Sequence, residues 1–396
     1  MKRCFGAFGV ALAWALGPGA LAAGAGSSPA WVVQPTPNPA SAHGPHAGSL
    51  LASVSCPSTS SCTAVGNTNR GTVLAEHWNG TSWSIQSTPD PAGSTDIALQ
   101  SVSCPSTTIC MAVGSYWTSA AVPATLAELW DGTTWKIQPT PNPSGRHWPN
   151  PELSGVSCPS TTECVAVGSY LDSNSVLQTL VERWNGATWG IEDAPNPPNP
   201  DFGGGSVLGS VSCPSTTACT AVGSSGSRPP VSKTLAERWN GKLWAIEPTA
   251  TAGGATWSVL ESVSCVSTSE CTASGVDGYA SGSSTLEATL IERWAGTWGV
   301  QDTPNPVDNG GSLLFGVSCP ASLDCTAVGR DSLRTGGSIT LAEHWNGRTW
   351  AIQSTPSPGG SPGLSAVSCP STSTCTAVGS YGKIVPQVKA TLAEHI

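Results

Sequence analysis

Charge is scarce in this chain: Asp, Glu, Lys and Arg make up 10% of its 396 residues, and the formal net charge is −9. No basic stripe runs through it, which excludes nucleic acid and anionic membrane surfaces as partners. Met, Phe and Tyr are nearly absent, at two, four and four copies, yet there are 17 Trp. The low charge does not make the chain disordered, because tryptophans and strict repetition supply the apolar burial that disordered tracts lack. Beyond the N-terminus no apolar run is long enough to cross a membrane, and no stretch shows the 3.6-residue period of a helix. The mature chain is therefore expected to be all-β.

The one apolar run follows Met1, Lys2 and Arg3, reaches about Leu16 and ends in Ala20, Leu21, Ala22 and Ala23. A basic tip, a short apolar stretch and small residues at its end describe a secretory signal peptide over residues 1–23. Cleavage removes Cys4 and leaves 14 cysteines, an even set suited to an oxidising compartment. A secreted, extracellular product is expected, monomeric and without a membrane span after cleavage.

These cysteines form seven pairs: Cys56/Cys62, Cys104/Cys110, Cys158/Cys164, Cys213/Cys219, Cys265/Cys271, Cys319/Cys325 and Cys369/Cys375. Successive pairs start 48 to 55 residues apart, the period of a propeller blade of four short strands. Each pair is expected to staple the hairpin between a first and a second strand as a disulfide. Metal binding by the thiolates is the rival reading, but histidines at finger spacing are missing.

In the fourth copy the strand-like runs are Leu208 to Cys213, Cys219 to Gly223, Thr234 to Trp239 and Trp244 to Glu247. All are short, alternate in polarity and are bounded by Gly, Pro, Ser or Asn. Small residues dominate the first two runs, while Trp closes the third and opens the fourth. Blades crowd at the axis and splay at the rim, so this gradient suits a radial arrangement, with Trp78, Trp130, Trp184, Trp239, Trp294 and Trp345 as blade filler. The last copy stops at Ile396 before its fourth run. The missing piece stands near the N-terminus as Trp31 to Pro39, almost identical to Trp135 to Pro143. A repeat split in this way predicts a closed ring, a seven-bladed β-propeller forming a single domain over 24–396. The expected blades are 49–91, 97–143, 151–198, 206–249, 258–306, 312–358 and 363–396, the last completed by a closing strand at 31–39.

The turn between the third and fourth runs reads Trp130, Asp131, Gly132, Thr133, Thr134, Trp135 in the second copy. It resembles the Asp box of sialidase-like propellers, S-x-D-x-G-x-T-W, matched here by Asp131, Gly132, Thr134 and Trp135. Other copies carry Asn at this place (Asn79, Asn185, Asn240 and Asn346), and the upstream Ser of the box is missing throughout. The resemblance implies a propeller fold; in that family the box is a folding element remote from the catalytic centre. Asn-Gly and Asp-Gly also have a local reason to stand there, since they favour tight hairpin turns.

Residues present in every blade read as architecture. Glu76, Glu128, Glu182, Glu237, Glu292, Glu343 and Glu394 hold one position of the third strand and are expected to accept hydrogen bonds from neighbouring strands or Trp N–H groups. Seven equivalent carboxylates do not make the single pair of a glycosidase. Arg183, Arg238 and Arg293, which follow three of them, read as strand-face residues rather than an arginine cluster. Serines before each first cysteine lack a unique His and Asp and are not nucleophiles. His43 and His46 are too few to complete a zinc shell. No cofactor or metal is expected.

Loops between second and third strands, and between blades, vary in length and share one face. Exposed aromatic residues beside polar ones on such loops suit stacking on sugars or docking on a protein surface. The candidates are Tyr116, Trp117, His147, Trp148, Tyr170, Asp172, Trp257, Tyr279, Arg330, Asp331 and Tyr381. The function expected is a secreted, non-enzymatic binding protein that offers this face to a glycan or an extracellular protein. The alternatives are a secreted propeller glycosidase (sialidase-like) or polysaccharide lyase, and a structural cell-surface protein.

Overall fold

A computed structural model describes residues 30–39, 48–143, 150–198, 204–226, 232–281, 284–306, 309–383 and 388–396. The leader, His43, His46, His147 and Trp148 lie outside the described residues. Seven antiparallel sheets of four strands make up a seven-bladed β-propeller, and the described residues contain no helix. Six blades use consecutive strands, as in Gly205–Ser215, Ala218–Gly226, Lys233–Trp239 and Trp244–Glu247. The seventh takes Gly363–Ser371, Thr374–Lys383 and Val388–His395 from the C-terminal end and Val32–Gln34 from the N-terminal end. Val32, Val33 and Gln34 stand opposite His395, Glu394 and Ala393, so the ring closes as its split repeat predicts.

First strands touch one another in an unbroken cycle and form the innermost wall. The apolar core lies between sheets rather than inside any one. Val65 and Ala75 of the first blade pack with Leu99, Leu126 and Trp135 of the second, and Val378 and Ala393 of the seventh pack with Leu51, Leu74 and Trp83 of the first. Each Leu at this inner position, such as Leu51 and Leu314, is fully buried.

Repeated polar residues tie blade to blade. The backbone N–H of each first cysteine donates to the serine hydroxyl before the first cysteine of the preceding blade, at 3.0 Å in all seven interfaces, Cys56 to Ser368 included. Those serines are therefore structural. At the rim, in five of the seven interfaces the Trp at the start of a fourth strand donates its indole N–H to the Gln or Glu that ends the fourth strand of the preceding blade, as Trp135 does to Gln86 and Trp244 to Glu192, both at 2.9 Å; Trp189 and Trp298 lack this bond. The N-terminal strand joins this ring on both sides, through Trp31 to Gln353 at 2.9 Å and Trp83 to Gln34 at 2.8 Å.

The Thr-Pro-Asn-Pro tails have a job as well. Asn142 accepts from the N–H of Thr125 at 2.9 Å, and Asn38 accepts from the N–H of Thr391 at 3.1 Å, so each tail folds back onto the third strand of its own blade.

All seven cysteine pairs are disulfides within their hairpins, with Cα–Cα distances of 3.9 to 4.0 Å. Their place in the molecule differs from that of a surface turn. The second cysteine of each pair (Cys62, Cys110, Cys164, Cys219, Cys271, Cys325 and Cys375) is at most 4% exposed and belongs to the apolar core between blades. Five residues between the cysteines leave the turn itself in solvent, but the second strand carries its sulfur inward, against the sheet of the preceding blade. The hydroxyl of Thr376 thus lies 3.8 Å from the Cys62 sulfur, and that of Thr63 lies 3.6 Å from the Cys110 sulfur. These cysteines staple and fill the fold, and they offer no surface to a ligand.

The invariant Gly of the second strand answers to a bulge. Opposite it the first strand carries one extra residue, between Leu208 and Ser210 in the fourth blade, and the register shifts there in every blade. A Cβ on Gly223 would overlap the carbonyl oxygen of Val207, and the six equivalent glycines meet the same obstacle.

Candidate functional site

The extra bulge residues are the most variable position of an otherwise uniform inner strand: Ala52, Gln100, Ser154, Gly209, Glu261, Phe315 and Ser365. Each is at least partly exposed while the Leu before it, or Gly209's neighbour Leu208, is buried, so this set lines the axis. Only Glu261 among them carries a carboxyl, and its enclosure pushes that group above the ordinary value.

Five of the loop-face candidates sit one or two residues past the invariant Gly of the second strand: Tyr116, Tyr170, Arg330, Asp331 and Tyr381. Tyr116, Tyr170 and Tyr381 lay their rings against the core between blades. Asp331 and Asp277 hold equivalent places in the sixth and fifth blades, both 2% exposed, and accept hydrogen bonds from Ser312 and Ser258 at 2.8 and 2.5 Å. Burial pushes both carboxyls upward, and the serines pull them back. The hydroxyl of Tyr279 lies 3.5 Å from Asp277. Asp172 shapes its own loop, accepting from the N–H groups of Asn174 and Val176 at 2.8 and 3.0 Å. Trp257 packs with Val276 and Leu313 and is buried, whereas Trp117 is 37% exposed at the end of its strand.

Two of the candidates meet. Arg330 and Tyr381 line one cleft of about 220 Å³ between the sixth and seventh blades, where the far ends of their second strands meet the inter-blade segment 360–363. Phe315 and Lys389 join them, with serine hydroxyls from Ser361, Ser365 and Ser380. The guanidinium of Arg330 stands 5.7 Å from the centre of the Phe315 ring. Phe315 escaped sequence reasoning because its significance lies in the bulge register, although a lone aromatic at a place held elsewhere by Ala, Gln, Ser, Gly or Glu was a visible signal. Lys389 sits beside a strand start that only the fold brings to the cleft.

The repeated residues behave as architecture, with one correction. All seven third-strand glutamates are fully buried between blades, but they do not accept the hydrogen bonds expected of them. Among the described residues only Glu292 has a partner of normal geometry, the N–H of Ala250 at 3.2 Å. Five Trp N–H groups go to the rim Gln and Glu side chains instead, and those of Trp189, Trp294, Trp298 and Trp345 meet no acceptor among the described residues. Burial pushes Glu237 up to about 8; the hydroxyl of Thr179 in the preceding blade draws it down in part without forming a well-aligned bond. Glu76, Glu128, Glu182 and Glu343 are likewise pushed to about 8, and Glu292 and Glu394 to about 7. The arginines are straps: Arg238 and Arg293 donate to the carbonyls of Thr268 and Ser322 in the disulfide turn of the next blade, both at 2.8 Å, and Arg238 stacks 3.4 Å from the centre of the Trp294 ring. Arg183 pairs with Glu192 in its own blade at 2.5 Å.

No protein-family model matches the chain, and no curated protein matches it. Among solved structures it is similar to a fucose-specific lectin from Aleuria aurantia, at 11% identity and TM-score 0.41 over 80% of this chain and 98% of that one. It is similar to an α-L-arabinofuranosidase of Fusarium graminearum, at 13% identity and TM-score 0.42 over 90% and 95%. It is also similar to a subtype N11 neuraminidase-like protein of A/flat-faced bat/Peru/033/2010, at 12% identity and TM-score 0.45 over 93% of both chains. Likeness at this level carries no information on ligand or activity.

Proposed function

We propose that this is an exported glycan-binding propeller that acts without catalysis and holds its ligand on the loop face. The cleft between the sixth and seventh blades carries the reading. It is concave, combines two aromatic rings with two cations and several hydroxyls, and three of its side chains, Phe315, Arg330 and Lys389, have no counterpart of the same kind in the other blades. At about 220 Å³ it is smaller than the roughly 300–1,000 Å³ of pockets for drug-sized ligands, which suits one ring of a longer chain. Seven disulfides suit an oxidising compartment, in keeping with export. Binding is favoured over hydrolysis because glycosidases work with two carboxyls across the bond they cut, and the axial set offers Glu261 alone.

A glycan array with the mature protein, run beside chromogenic glycosides, tests this. The expected result is retention of a defined glycan, weakened at least about tenfold by Tyr381→Ala, roughly the effect of losing one stacked ring. Turnover of a glycoside, or glycan retention that Tyr381→Ala leaves intact, would sink the proposal.

A further inference from the structure

We propose that the cleft between the sixth and seventh blades selects acidic saccharides, those carrying a carboxylate or sulfate; this rests on the glycan-binding reading above. In a chain of net charge −9, none of the residues lining this cleft is acidic, while Arg330 and Lys389 face it from opposite blades. Among the described residues, no carboxylate lies within ion-pairing distance of either cation. The adjacent Asp331 does not neutralise Arg330: it is buried and engaged by Ser312. Arg330 is exposed, and its planar fork suits a carboxylate or sulfate held by two parallel hydrogen bonds. Phe315 beneath the guanidinium restricts its swing, so less freedom is lost on binding.

The opposite wall is equally fixed. Gly382 donates its N–H to the carbonyl of Gly360 at 2.8 Å, an approach so close that a Cβ on Gly360 would overlap the carbonyl of Gly382. Ser361, next in line, is held at φ 60°, a left-handed conformation that costs a non-glycine residue energy and recurs where binding sites are built. Its hydroxyl and that of Ser380 line the same space and suit the neutral hydroxyls of a sugar ring. A rigid wall, an aromatic floor and two uncompensated cations describe a subsite for one acidic sugar.

The test is titration calorimetry of the mature protein with three tetrasaccharides: tetragalacturonate, its carboxyl-reduced neutral form, and a sulfated neutral tetrasaccharide. Tetragalacturonate or the sulfated sugar should bind at least about tenfold more tightly than the reduced form, with the preference shrinking as salt rises. Whichever of the two binds identifies the anion. Arg330→Gln and Lys389→Gln should each erase most of the preference; both side chains are exposed, and thermal melts confirm that the variants fold. Equal binding of the reduced form, or a preference that survives both substitutions, would overturn the acidic assignment while leaving glycan binding in place. Failure of all three sugars, together with an empty glycan array, would remove both.

Discussion

At the glycine shared by all seven second strands, geometry leaves no choice of residue. Its Cβ position is already filled by a first-strand carbonyl, because the bulge pushes the two backbones together. Gly223→Ala must therefore reopen an inner hairpin, and a loss of about 3 kcal/mol is expected in urea unfolding, the upper part of the range for forcing extra atoms into a packed interior. Gly190 provides the control. It lies on an outer strand with nothing within 4 Å of its would-be Cβ, so Gly190→Ala should be neutral or stabilise by up to about 1 kcal/mol. Equal effects at the two positions would refute the bulge argument. The same bulge decides which side chains reach the axis, so one glycine per repeat sets both a structural rule and the place where blades differ most.

At the scale of the element, the hairpin of first and second strands is the unit that the sequence announces most clearly. Paired cysteines with five residues between them and small residues beside them are local signals; that Cys219 stands opposite Trp239 of the third strand is seen only in the folded chain. Replacing Cys213 and Cys219 together by Ala should cost about 2 kcal/mol, the loop-closure value for so short a bridge, and peptide mapping without reductant should show only local pairs. Other features were beyond sequence reasoning because they depend on what lies across a blade interface. The pairing of the cysteines was legible, but not that each second cysteine packs into the core beside a neighbouring sheet. The repeated Glu looked like a hydrogen-bond acceptor, yet its neighbours in the preceding blade give it almost nothing. The repeated Ser looked neutral and turned out to bind the next blade's backbone. The candidate cleft was half legible: Arg330 and Tyr381 were expected in variable loops, but the second strands run on through both, whereas Phe315 and Lys389 reach the cleft only through strand register and the meeting of two blades.

For the molecule as a whole, two features govern stability, ring closure and a belt of buried acids. Deleting residues 31–39 would strip the Val388–His395 strand of its outer partner and leave the indole N–H of Trp83 without Gln34. Hydrogen exchange should then show loss of protection first in that strand and in the hairpin of the first blade that packs on it; unchanged protection there would contradict closure by this segment. The acids act on all interfaces at once. Each of the seven glutamates has a folded value of about 7 or 8 against an ordinary 4.5, because burial disfavours its charged form. Between those limits the folded chain holds protons that the unfolded chain has released, so raising the pH favours unfolding. The contribution of the neutral carboxyls is fully present below about pH 4.5, declines as pH climbs through 7 and 8, and is gone above. Thermal midpoints should fall steadily from about pH 4.5 to about pH 8.5 at fixed ionic strength. Glu237→Gln keeps the shape but cannot ionise, so it should match the parent near pH 4.5 and melt higher than it above pH 8. A midpoint that rises across this window, or a Gln variant that gains nothing at alkaline pH, would show that the buried acids find charge partners and that the belt does not work by desolvation.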